Sequence, residues 1–102
     1  MSLNLPAVSD SLVIIPTYNE KENIPRMLDT VMALTPKRGS AFHVLVVDDG
    51  SPDGTADLVR EAQARHEGRI HLLERSGKLG LGTAYIAGFK WGLEQGLSLI
   101  HI

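Results

Sequence analysis

Apolar and polar positions in this chain alternate between two repeats, one of about two residues and one of about 3.6, and the changeovers mark its elements. Leu12-Val13-Ile14-Ile15 is a short aliphatic run closed by Pro16, so residues 11–16 read as a strand. A helix follows, with Asn23 as a candidate cap, Pro25 in its first turn, and Ile24, Leu28, Val31 and Leu34 at helical spacing. Residues 35–40 are loop material. Phe42 to Asp48 forms the second strand, apolar on both faces as expected of a strand covered on each side. Ser51 and Pro52 suit the cap and first position of a second helix, which runs to about His66, buries Leu58, Val59 and Ala62, and stops at Gly68. Ile70 to Leu73 is a third strand, and Arg75 to Gly82 a loop with glycines at 77, 80 and 82. A third helix carries Ala84, Ala87, Trp91 and either Leu93 or Glu94 on its apolar side, and Gly96 ends it. Residues 97–102 read as a fourth strand.

The order βαβαβαβ points to a parallel, doubly wound sheet. Right-handed crossovers make 3-2-1-4 the expected strand order, with ligands bound beyond the carboxyl ends of the strands. Those ends carry Pro16-Thr17-Tyr18-Asn19-Glu20, Asp48-Asp49-Gly50-Ser51 and the 75–82 loop, so the polar, acidic and glycine-rich residues gather on one rim.

Composition narrows the chemistry. The chain has 102 residues, is 43% hydrophobic and 22% charged, and carries a net charge of −2. That is globular composition, with neither the low hydropathy of a disordered segment nor a basic footprint for nucleic acid. Cysteine is absent, which removes disulfides, zinc-thiolate sites and cysteine nucleophiles. Val44-Leu45-Val46-Val47 falls far short of the roughly 20 apolar residues of a membrane span, and the first residues lack the pattern of a signal peptide. A cytoplasmic location is expected, with peripheral attachment to a membrane left open for a longer parent. The chain shows no repeats, low-complexity segments or interdomain linker.

Several residues could carry chemistry. Asp48 and Asp49 end a strand whose alternation sends them in different directions, so one is expected to cap nearby amides and the other to face the ligand crevice; plain turn stabilisation is the alternative. An EF-hand loop beginning at Asp49 would need a glutamate where Arg60 stands, and a phosphoryl receiver would need an aspartate later than Asp57. Gly77-Lys78-Leu79-Gly80-Leu81-Gly82 precedes a helix and suits close approach to an anion, with Lys78 as a cation, or it is simply a loop and cap. It is neither a Walker A loop, since Leu79 follows the lysine, nor a dinucleotide fingerprint, since Tyr85 stands at the third glycine. Tyr18 could stack on a base or brace the turn, and Glu20 could accept from a ribose or favour the helix start. The four histidines show no ligand spacing, and Met27, Met32 and Trp91 read as core or interface.

Taken together, Ile15-Pro16-Thr17-Tyr18-Asn19-Glu20, Val46-Val47-Asp48-Asp49-Gly50-Ser51-Pro52-Asp53-Gly54-Thr55 and Gly77-Lys78-Leu79-Gly80-Leu81-Gly82-Thr83-Ala84-Tyr85 resemble the family 2 glycosyltransferases of GT-A fold. The similarity is greatest to the branch that makes dolichyl-phosphate or polyprenyl-phosphate mannose, and it runs from about Leu12 to Gly96. The resemblance implies a Rossmann-like, three-layer α/β/α sheet and the N-terminal, nucleotide-sugar-binding part of a transferase domain. It implies that Pro16, Tyr18 and Glu20 line the nucleotide pocket, that Val47 and Asp49 hold base and ribose, and that Asp48 supports their loop. Lys78 and Gly80 would lie beside the nucleotide or its phosphates. It implies a donor such as GDP-mannose, a polyprenyl phosphate acceptor, and a Mg or Mn ion on the leaving diphosphate in the parent enzyme. A non-catalytic nucleotide-binding module is the alternative. The family's Asp-x-Asp metal motif after the fourth strand has no counterpart in Leu97 to Ile102. The expectation is therefore a truncated or frameshifted piece that binds no ion, transfers no sugar alone, and self-associates through an exposed edge strand.

Overall fold

The computed structural model describes residues 11–33, 42–66, 68–77 and 80–101. The elements run β1 (Ser11–Thr17), α1 (Ile24–Met32), β2 (Phe42–Asp48), α2 (Thr55–Arg65), β3 (Ile70–Glu74), α3 (Leu81–Glu94) and β4 (Ser98–His101). The four strands are parallel and lie in the order β3-β2-β1-β4, as the crossover rule requires. Val13 pairs with Val44 and Thr17 with Asp48, and Asp48 in turn lies beside Glu74, so the carboxyl ends of the three strands share one rim.

β1, β2 and β3 send alternate side chains into two separate cores. On one side Val44, Val46 and Ile70 meet Ile24, Leu28 and Met32 of α1 and Val59 and Ala62 of α2. On the other, Leu12, Ile14, Leu45 and Val47 pack under α3 around Ala84. This is the expected three-layer α/β/α arrangement. β2 is buried along both faces from Val44 onward, which is why its sequence is aliphatic without alternation.

The end of β1, the start of α2 and the buried face of α3 differ from the sequence reading. β1 continues through Pro16 to Thr17, and α2 begins at Thr55, behind Gly54 with φ +93°, rather than at Ser51. Ser51 has a competing partner in the Asp48 carboxylate, described below, and Asp53 takes over the Thr55 amide. The third helix turns a different side inward. Its buried line is Ala84, Gly88 and Gly92, while Leu93 is 77% exposed and Trp91 is half-buried. A Cβ on Gly88 would sit 2.8 Å from Ile14 Cγ2, and one on Gly92 would sit 2.8 Å from Leu12 Cδ2. The small residues let the helix backbone lie directly on β1, and this close approach outweighs the burial of larger apolar side chains elsewhere on the helix.

Among the histidines, the pairing of β2 with β3 joins two that are far apart in sequence. His43 Nδ1 and His71 Nε2 are 3.0 Å apart, and the His71 ring lies 4.8 Å from that of Trp91. Burial, with His43 as a second cause, holds His71 below the usual histidine value of 6.5. Among the described residues no group of three or more metal-ligating side chains comes together, and no helix is long and apolar enough to cross a membrane.

Candidate functional site

The site begins with Asp48, the last residue of β2. Its carboxylate is almost fully buried and accepts from Thr17 Oγ1 at 2.8 Å, from the Ser51 amide at 3.0 Å and from Ser51 Oγ at 2.6 Å. A buried carboxylate needs such donors, and here they tie the end of β1 to the turn after β2. The same turn then holds the next stretch of chain. The amides of Asn19, Glu20 and Lys21 donate to Ser51 Oγ, Thr55 Oγ1 and Asp53 Oδ2 at 2.8, 3.0 and 3.1 Å. Asn19 takes up φ +56°, a conformation asparagine tolerates better than most residues. Thr55, followed by the Lys21 and Thr55 amides, lowers the Asp53 carboxyl below its usual range. The rim is thus a network of side chains capping backbone amides.

Asp49 points elsewhere. Both of its oxygens accept from Arg75, at 2.7 Å from Nε and 2.9 Å from one terminal nitrogen, in a bidentate pair with side-chain exposures of 9% and 12%. The hydrogen bond to Asp49 raises the already high Arg75 pKa, so the guanidinium stays charged. Arg75 also donates to Thr83 Oγ1 at 3.1 Å and approaches the Gly80 carbonyl at 3.4 Å, both at the start of α3. Gly50, at φ +71°, lets the β2 turn pass against this loop, because a Cβ there would lie 2.8 Å from the Gly77 nitrogen.

Between these walls lies an open pocket of about 120 Å³, lined by Pro16, Thr17, Tyr18, Asp49, Gly80, Leu81 and Ala84. Its position beyond the carboxyl ends of β1 and β2 is where parallel α/β sheets bind ligands. The Tyr18 ring is 37% exposed and offers a flat apolar face, and Asp49 supplies an acceptor held in place.

Of the residues singled out from sequence, Pro16, Tyr18, Asp49 and Gly80 come together in this pocket. Three do not line it. The Val47 side chain is fully buried in the core under α3. Asp48 turns inward to its network. Glu20 accepts from Asn23 Nδ2 at 3.2 Å, and its amide rather than its carboxylate joins the rim. Lys78 lies outside the described residues. Thr17, Leu81, Ala84 and, behind the lining, Arg75 were not foreseen. An arginine directly following a strand of an acidic-rimmed sheet is the signal that could have found Arg75.

A four-stranded parallel sheet with helices on both faces and a pocket at its carboxyl end defines a Rossmann-like α/β domain. The model of the family Glycosyl transferase family 2 matches residues 12–95, and the chain belongs to that family. A polyprenol monophosphomannose synthase of Mycolicibacterium smegmatis is 50% identical over 90 residues, covering 88% of this chain and 32% of the relative. An undecaprenyl-phosphate mannosyltransferase of Micrococcus luteus is 48% identical over 89 residues, 87% of this chain and 35% of the relative. The structure of a mannosyltransferase from Pyrobaculum calidifontis in complex with GDP-Man and Mn2+ superposes with a TM-score of 0.73 at 30% identity, over 84% of this chain and 25% of that one. The chain therefore spans about a third of the length of these curated relatives.

Both rim aspartates are taken up by protein donors. Asp49 has both oxygens on Arg75, and Asp48 is taken up by Thr17 and Ser51.

Proposed function

We propose that this chain is the N-terminal, nucleotide-sugar-binding part of a glycosyltransferase that moves mannose from GDP-mannose to a polyprenyl phosphate, and that residues 1–102 alone bind nucleotide without transferring sugar. The observation that carries this reading is the pocket of Pro16, Tyr18, Asp49 and Gly80 in a chain 50% identical to a polyprenol monophosphomannose synthase. Tyr18 would stack on the base, Asp49 would accept from base or ribose, and Gly80 and Lys78 would sit toward the diphosphate. Asp48, Val47 and Glu20 would act through the backbone they hold. A divalent ion would neutralise the leaving diphosphate in the whole enzyme, on ligands beyond the described residues. A longer parent would meet its lipid acceptor as a peripheral protein.

Isothermal titration of the 102-residue chain with GDP, UDP and GDP-mannose, with and without Mn2+, tests the reading. Metal-independent binding of GDP, weakened about tenfold or more by Tyr18→Ala, is the expected result. Failure to bind any of the three nucleotides, or turnover of GDP-mannose by this chain alone, would overturn it. The engagement of both rim aspartates by protein groups favours a second reading, a nucleotide-binding module without catalysis. Extending the chain to the length of its relatives separates the two, because only the transferase gains activity.

A further inference from the structure

The pocket has two walls that belong to different parts of the fold. Pro16, Tyr18 and Asp49 come from the ends of β1 and β2, whereas Gly80, Leu81 and Ala84 belong to the start of α3. Nothing in the strand pairing sets the distance between them. Arg75 reaches both. Its guanidinium clamps Asp49 through two hydrogen bonds, and the same group donates to Thr83 Oγ1, which itself donates to the Gly80 carbonyl at 2.8 Å. That carbonyl also receives the Ala84 amide at 3.2 Å, the first hydrogen bond of α3 on this side.

We infer that Arg75 is a positioning residue that sets the width of the pocket by locking the first turn of α3 to Asp49. Its use for a nucleotide rests on the function proposed above; the clamp itself does not. A planar fork can serve two walls at once, because its nitrogens are fixed relative to one another. Lysine keeps the charge but not the fork, and so holds one wall or the other. Asp49, held by two bonds, also keeps a constant orientation toward the pocket. Ala84 seats the underside of the helix start in the core, while Gly80 and Thr83, on its rim side, are tied to Asp49 through Arg75.

The test uses hydrogen exchange resolved at single amides, together with GDP titration, on the intact chain carrying Arg75→Lys or Thr83→Val. The Ala84 amide reports the clamp, and the Val46 amide in the central strand reports global stability. Arg75→Lys is expected to speed exchange at Ala84 about tenfold or more while leaving Val46 within about twofold, and to weaken GDP binding by a similar factor. Thr83→Val removes one arm on an exposed side chain. It should show a smaller effect of the same kind, reduced in the Arg75→Lys background to the part due to its own bond to the Gly80 carbonyl. Unchanged exchange at Ala84 in Arg75→Lys, or equal acceleration at Ala84 and Val46 in both variants, would overturn the clamp. If the unaltered chain binds no nucleotide, the functional reading falls, and exchange at Ala84 alone still decides the role of Arg75.

Discussion

Glycines 82 and 88 lie six positions apart on α3, and alanine should act on them in opposite directions. An alanine Cβ at position 88 would sit 2.8, 2.9 and 3.2 Å from Cγ2, Cδ1 and Cγ1 of Ile14. Carbon atoms in contact prefer about 3.5–4.0 Å, so the helix must rise by roughly 0.7 Å or Ile14 must leave its rotamer. Ile14 has nowhere to go, being fully buried between Val47, Leu45 and Ala84. Overpacking of this kind costs about 1–3 kcal/mol, and the better helix propensity of alanine returns about 1. With two contacts below 3.0 Å the upper end applies, and Gly88→Ala should destabilise the chain by about 2 kcal/mol. At Gly82 an added Cβ meets nothing within 4 Å, and Gly82→Ala should stabilise by a few tenths to about 1 kcal/mol. Urea unfolding followed by far-ultraviolet circular dichroism measures both as shifts of the midpoint. A cycle with Ile14→Ala completes the test, since removing the three contacting atoms should make Gly88→Ala nearly neutral, a coupling of about 1–2 kcal/mol. If Gly88→Ala unfolds at the same or higher urea than the unaltered chain, the account of α3 seated directly on β1 is wrong.

Other predictions test the rim and the second core. Gly50→Ala places a Cβ 2.8 Å from the Gly77 nitrogen in a left-handed conformation, so it should cost about 2 kcal/mol or more and weaken nucleotide binding, read by melting and titration. Asp48→Asn turns an amide donor toward the Ser51 N–H or the Thr17 hydroxyl and should cost about 1–3 kcal/mol, whereas Asp57→Asn on the exposed face of α2 should be nearly silent. His71 titrates below its unfolded value of 6.5, so the unfolded chain binds more protons as pH falls through that value. Stability should therefore be full above pH 6.5 and decline below it, and His71→Gln should flatten the profile of melting temperature between about pH 7 and 5. β4 pairs only with β1 among the described residues, and sedimentation over a range of concentrations tests the self-association expected from sequence, which a concentration-independent monomer would refute.

The strands were legible because burial on both faces leaves an unbroken aliphatic run, as at Val44 to Val47, and because the parallel crossover admits few orders. Their rim was legible for the same reason, and the pocket formed by Pro16, Tyr18, Asp49 and Gly80 follows from it. The α3 face is not legible in the sequence because glycine carries no hydropathy signal. Gly88 and Gly92 are buried by the proximity of Leu12 and Ile14, a fact of tertiary packing that periodicity in large side chains cannot report. The local context of Ser51 suits a helix cap, but a buried carboxylate three residues earlier is the stronger partner. Arg75 and the His43–His71 contact depend on which strands become neighbours, and sequence distance hides both.

The bed of small residues under α3 reaches beyond stability. Ala84, at the head of that line, is both the first residue pressed onto the sheet and part of the pocket wall. The depth at which the helix rests on Leu12 and Ile14 therefore sets the level from which Arg75 draws its leading turn across the cleft. Substitutions at those two strand positions, which touch no ligand, offer evolution a remote adjustment screw for the shape of the molecule that the cleft admits.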